Sequence, residues 1–220
     1  MKKVVAILLA LILCLSAAAL AATPSKTNSD LTRFDVIAEN QPGDKGIYLL
    51  PVNEVTVGET LPDYQDRIDI CEVEIAKLAA SETVEDYFEG ATDAEGNEVD
   101  LREMLVAKED VKLNVFEFCP VIAGGFQEDC GKVTATMLFS TPYEKDQPVA
   151  LMIGLVTIHE DGTQEVVWQA FEGVGLGEIE GDEGTYGAIR VELTQEIVNA
   201  IQDEIALVAV VSAETETEAA

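Results

Sequence analysis

Chemistry has few footholds in this sequence. His159 is the only histidine among 220 residues. It stands in Thr157-Ile158-His159-Glu160-Asp161-Gly162-Thr163, after an apolar run and before a turn signal, which predicts an exposed hairpin tip. A general base beside Glu160 or Asp161 is the reading that would make it functional. No serine or cysteine near it carries a nucleophile-elbow or protease signature. With one histidine and no CxxC, transition-metal centres are not expected.

The cysteines are Cys14, Cys71, Cys119 and Cys130. Cys119 and Cys130 bracket ten residues between two predicted strands. Export permits oxidation, and a bridge would staple that loop, so a Cys119–Cys130 disulfide is expected. The alternative is a pair of free thiols. Cys71 falls on the apolar face of a predicted helix and reads as a buried, inert thiol.

Acids are abundant: 42 Asp and Glu against 13 Lys and Arg, for a formal charge of −29. Such a surface repels phosphate, which excludes nucleic acid and disfavours anionic membranes as partners. Calcium is the cation to consider. The window from Asp93 to Met104 fails as an EF-hand, because Glu98 stands at the glycine position and Met104 at the bidentate-glutamate position. Glu178, Glu180, Asp182 and Glu183 form the densest acidic loop and are the candidate ligands for a hard cation. A solvated acidic loop is the plainer reading, and no cofactor is otherwise expected. A carboxylate pair for polymer hydrolysis is not identifiable among so many acids, since the separation it requires is three-dimensional.

Trp168 is the sole tryptophan and alternates with Val166 and Ala170, which places it in a core. Phe126, in a Gly-Gly-Phe loop, and Tyr143 are the candidates for an exposed contact loop.

The segments that must position these residues begin with an export signal. Residues 1–21 show two lysines, a twelve-residue apolar run, and Ala19-Leu20-Ala21 as a cleavage pattern before Ala22. The apolar run is too short to span a bilayer, and no small residue precedes Cys14 as a lipobox requires. Release without a membrane anchor is the expectation. Losing Lys2 and Lys3 with the leader takes the formal charge from −29 to −31.

Residues 34–37 and 47–57 read as extended, with Pro51 demoting the second run to an edge. Ile68, Cys71, Ile75 and Leu78 define one helical face after a cap at Asp63, although a strand remains the competing assignment for residues 65–79. Ser81 is the expected cap of a short helix burying Val84, Tyr87 and Phe88 and ending at Gly90. Asp100 starts a further helical turn. Six strands are then predicted, at 111–118, 133–140, 149–158, 165–171, 186–193 and 205–211, with a helix capped by Thr194 before the last. The run 149–158 is apolar on both faces and must be covered on both sides.

This pattern predicts a mainly β protein: an antiparallel immunoglobulin-like β-sandwich at 109–213, packed against a smaller α+β region at 22–108, with an acidic, disordered tail at 214–220. The resemblance is architectural, without the Cys…Trp…Cys signature. The expected function is that of a secreted, non-catalytic interaction or structural protein with a protein or glycan partner. The alternatives are an extracellular carboxylate-dependent hydrolase and a calcium- or small-ligand-binding module.

Overall fold

The computed structural model describes residues 26–27, 31–40, 46–53, 61–139, 142–181 and 184–214. The expected leader, the cleavage point before Ala22, residues 54–57 of the second extended run, Asp182, Glu183 and residues 215–220 lie outside the described residues. Among the described residues, nine strands and four helices follow in chain order: β1 (Lys26–Thr27), β2 (Leu31–Ala38), β3 (Tyr48–Pro51), α1 (Tyr64–Ala80), α2 (Val84–Tyr87), α3 (Leu101–Met104), β4 (Leu113–Gly124), β5 (Val133–Phe139), β6 (Lys145–Ile158), β7 (Gln164–Gly181), β8 (Gly184–Leu193), α4 (Gln195–Asp203) and β9 (Ile205–Ala213). Among the described residues, no helix is long and apolar enough to cross a membrane.

All nine strands belong to one sheet, ordered β1-β4-β9-β6-β7-β8-β5-β2, with β3 paired to β4. Every pairing is antiparallel except the short β1–β4 contact. β2 and β3, from opposite edges, come close together, so the sheet is nearly barrel-shaped.

The expected immunoglobulin-like sandwich is therefore corrected. A sandwich needs two separate ladders, and here a single ladder curls until its two edges come close together. The sheet also crosses the expected boundary at residue 109. β2 pairs with β5 and β3 with β4, so the N-terminal strands are staves of the same sheet.

Strand period explains the two cores. On β6, Val149, Leu151 and Ile153 point inward while Ala150, Met152 and Val156 point outward. On β9, Val208 and Val210 are inward, and Leu207, Ala209 and Val211 outward. The inner cluster fills the barrel. The outer cluster is covered by Ile70, Cys71 and Leu78 of α1, by Val84 and Phe88 around α2, and by Leu101 and Leu105 around α3. The run at 149–158 is thus central and covered on both sides as expected, with the helices supplying the outer layer.

Capping fixes the helices. Thr83, two residues after the expected Ser81, caps α2 with a reciprocal box to Asp86. Asp100 accepts from the backbone N–H groups of Arg102 and Glu103 at the start of α3. Thr194 accepts from Ile197 N–H and starts α4, whose Ile197, Val198 and Ile201 join the inner core. Residues 65–79 are helical, within α1. Trp168 is buried as expected, but its partners are on the helical side. Tyr87, Phe88 and Phe118 surround it edge-on at centroid distances of 5.9, 5.0 and 5.8 Å.

Candidate functional site

The barrel has two unlike ends. At one, β4 ends and β9 begins, and α4 lies there against β4. Gln202 of α4 clasps the Phe126 backbone from both sides: its Oε1 accepts from Phe126 N–H at 2.9 Å, and its Nε2 donates to Phe126 O at 3.3 Å. Phe126 is consequently 8% exposed and part of the inner core. The expected exposed contact residue is a plug residue.

At the other end lies a cavity of about 590 Å³, walled by Phe116 of β4, Tyr143 and Glu144 of the β5–β6 connection, Gln147 of β6, Gly177 of β7 and Ser212 of β9. The ladder is irregular around it. Four register shifts occur among the described pairings, and three of them adjoin this cavity: Val115/Glu117 on β4, Lys145/Pro148 on β6 and Gly175/Gly177 on β7. Bulges bend a strand and re-aim its side chains, and they concentrate at barrel rims and binding sites. Positive φ at Asp146 (64°) and Gly177 (84°) marks the same turns. Gly175 has no room for a Cβ, because the Glu144 carbonyl oxygen lies against it. These features bring the start of β6 close against β7.

Polar groups in the wall form a short chain. Gln147 Oε1 accepts from Glu144 N–H at 2.9 Å, and its Nε2 donates to Ser212 Oγ at 3.1 Å. Ser212 Oγ leans towards the Ala213 carbonyl at 3.4 Å. An amide cannot remove a proton, so nothing in this chain activates Ser212 as a nucleophile. Tyr143 is the anomaly. It is 3% exposed, packed edge-on to Phe116 and Phe139, and its hydroxyl has no hydrogen-bond partner. Burial, and then the nearby Glu117 charge, push its pKa well above the ordinary tyrosine value, so the phenol stays protonated. Tyr143 was expected on an exposed loop. It is instead buried, but it does border the cavity.

The other sequence candidates fall elsewhere. His159 caps the β6–β7 hairpin at the far end of β6. Its ring is half-exposed, with Nε2 at 3.3 Å from Glu165. Glu178 and Glu180 are strand residues of β7, and only Glu178 reaches the cavity rim. Their proposed companions Asp182 and Glu183 lie outside the described residues. No three His, Cys, Asp or Glu side chains converge on a metal-sized site among the described residues. The hollow lined by Asp93, Glu98, Asp100 and Glu172 is acidic. However, Asp93 is committed to its own turn through Glu95, Asn97 and Gly96, and Asp100 to the cap of α3.

The expected Cys119–Cys130 bridge is not formed; Cys71, Cys119 and Cys130 are free, buried thiols. The spacing argument assumed that a strand ended at residue 118. β4 continues to Gly124, so Cys119 sits in mid-strand opposite Val208, about 16 Å of strand before the loop begins. Burial raises the pKa of all three, Cys71 up to about 12, so none is poised as a nucleophile.

Among the described residues, two buried carboxylates, Glu74 and Glu117, were not anticipated. Glu74, on α1, is 2% exposed and accepts from Lys77 Nζ at 2.6 Å, Gln164 Nε2 at 2.8 Å and Tyr87 Oη at 2.9 Å. It joins α1 to α2 and β7. The legible signal was its place on the helix face beside Ile70, Cys71 and Leu78. Its acceptors are occupied by these three donors, so its role is structural. No family model, no curated protein and no solved structure matches this chain.

Proposed function

We propose that this chain is an exported, acidic binding protein that does no chemistry on its ligand, and that the cavity at the open end of the barrel is the ligand seat. The observation that carries the reading is the convergence of three register shifts on one cavity bordered by a buried tyrosine whose hydroxyl is unpartnered. A buried hydroxyl without a partner costs about 1–3 kcal/mol. Features that weaken a fold and cluster in one place mark sites kept for function. Barrel mouths are a recurrent location for small ligands, and about 590 Å³ suits a small molecule.

Hydrolysis is less well supported. A carboxylate general acid must be kept protonated at neutral pH, usually by burial. The carboxylates at the rim, Glu144 and Glu178, are both exposed. Export rests on the leader at residues 1–21.

The reading is tested by thermal-shift measurements with a panel of small polar, charged and aromatic molecules, on the natural sequence and on Tyr143→Phe. A true ligand at 100 times its dissociation constant adds about 2.7 kcal/mol of apparent stability. The expected result is at least one compound that shifts the natural protein and shifts Tyr143→Phe much less. Compounds that shift both proteins equally, or a panel that shifts neither, would count against the cavity as the seat.

A further inference from the structure

We propose that the open edge of β7 at residues 164–167 is a protein-docking surface. It takes, as an added strand, an extended segment of a partner in which basic and β-branched residues alternate. This surface is independent of the cavity and lies at the other end of β6. β9 leaves β6 at Val156, and β8 does not join β7 until Gly173, so the β6–β7 hairpin runs on past both neighbours. Thr92 covers part of the exposed edge: its N–H donates to Trp168 O at 3.1 Å, and its carbonyl accepts from Ala170 N–H at 2.8 Å. Outward-facing backbone groups recur on every second residue of such a strand, so the N–H and C=O of Val166 and the C=O of Gln164 face the same side. Among the described residues, nothing pairs with them there. An open run of backbone donors and acceptors is a template for another strand.

The two faces beside this edge differ, and they set the chemistry of the incoming strand. Val167 pairs with Leu155 on the inner face and is 58% exposed, so a β-branched side chain on that face gives it cover. The outer face is the side of α1, which Gln164 holds by donating to Ile70 O at 3.4 Å and to Glu74 at 2.8 Å. The exposed side of that helix carries Asp66, Asp69 and Glu72, and the hairpin turn adds Glu160 and Asp161. Asp69 accepts from Gln65 and Asp161 from Thr163, but no Lys or Arg pairs with any of the five among the described residues. Their charge attracts lysine and arginine side chains and repels an acidic segment. A second copy of this chain brings the same acids to the edge and is disfavoured. Successive side chains of a strand point to opposite faces, so alternation meets both requirements at once.

The test is calorimetric titration with a capped octapeptide of alternating Lys and Val, near physiological ionic strength, where long-range attraction is largely screened. Two further peptides are compared: one with Glu in place of Lys, and the Lys–Val peptide methylated on every backbone nitrogen, which keeps the charge and removes the donors. Val166→Pro deletes the outward N–H and leaves the β6 ladder intact, whereas Val166→Thr keeps that N–H. The Lys–Val peptide should bind the natural protein and Val166→Thr alike, and Val166→Pro about tenfold more weakly or worse. The methylated and Glu–Val peptides should bind the natural protein at least as weakly as that. If Val166→Pro does not fold, the methylated peptide, which needs no variant, decides. Equal binding of the Lys–Val peptide and its methylated form would reduce the effect to charge attraction and overturn the proposal. Glu–Val binding as tight as Lys–Val, or no binding of Lys–Val at all, would overturn it too. A dimer of the natural chain that Val166→Pro dissolves, seen by light scattering, would assign the edge to a second copy instead.

Discussion

Cys71 shows how a single side chain ties this fold to pH. Its thiol is buried under α1, and burial, followed by Glu72 and Glu74, raises its pKa from 9.0 to about 12. Between those values the folded protein holds a proton that the unfolded chain has released. Its contribution is therefore complete below pH 9 and is lost as pH rises towards 12. Tyr87, raised by burial and by Glu74, pulls in the same direction above pH 10. Melting temperature should fall steadily above pH 9, and Cys71→Ala should melt lower at pH 8 yet show a shallower alkaline decline. An unchanged slope in that variant would remove Cys71 as the cause. At this scale the sequence was partly legible. Cys71 reads as a buried thiol from helical spacing alone. Glu74 was hidden because an acid on an apolar face becomes a centre only when Tyr87 and Gln164 arrive from distant segments. Phe126 and Tyr143 were placed on exposed loops because local sequence says loop, whereas their burial is set by α4 and by the barrel end.

Helix and strand boundaries follow local chemistry where caps exist and fail where tertiary pairing extends them. Asp100 and Thr194 cap helix starts as expected, whereas Asp63 stands at the start of α1 without a capping bond and pairs with Arg67 instead. β4 and β7 outrun their predicted lengths, because Pro120 and the glycines of 173–177 look like breakers but sit in paired, bent strands. A bulge absorbs such residues without ending the ladder. The end of α3 carries a local conflict. Val106 has φ 52°, and its N–H donates to Glu103 O while Ala107 N–H donates to Arg102 O. This is the Schellman arrangement, with a β-branched residue where glycine is preferred. The Val106 side chain is 81% exposed, so removing it loses little packing. Val106→Gly should stabilise the protein by about 1 kcal/mol in urea denaturation, through relief of left-handed strain. A destabilised variant would show that the side chain makes a contact outweighing the strain.

At the scale of the whole molecule, the sandwich and the barrel share almost the same strand list. They differ in which strands close the edges. The sequence shows alternation and a doubly apolar strand at 149–158, and from these the outer helical cover is deducible. It does not show that β2 and β3 belong to the sheet, because edge pairing depends on register between distant segments. Their membership makes a fragment beginning at Glu109 worse than uncovered. It would lack the α1–α3 cover over Phe118, Met152 and Trp168, and it would expose the edges of β4 and β5. Such a fragment should aggregate, by light scattering, under conditions where the full chain is monodisperse. A soluble, cooperatively melting fragment would contradict the single-sheet account.

The same whole-molecule view puts the proposed ligand seat at the end of the barrel that α4 does not occupy. If that end is a seat held at some cost to the fold, Tyr143→Phe removes a buried hydroxyl that bonds to nothing and leaves the ring packed between Phe116 and Phe139. Urea denaturation of the unliganded protein, natural sequence against Tyr143→Phe, measures this directly. The account predicts that the variant is as stable as the natural protein or more so, by up to about 3 kcal/mol, the penalty of an unsatisfied buried group. A variant destabilised by more than about 1 kcal/mol would show that the hydroxyl is bonded into the fold, and the cavity would lose its claim as the functional site.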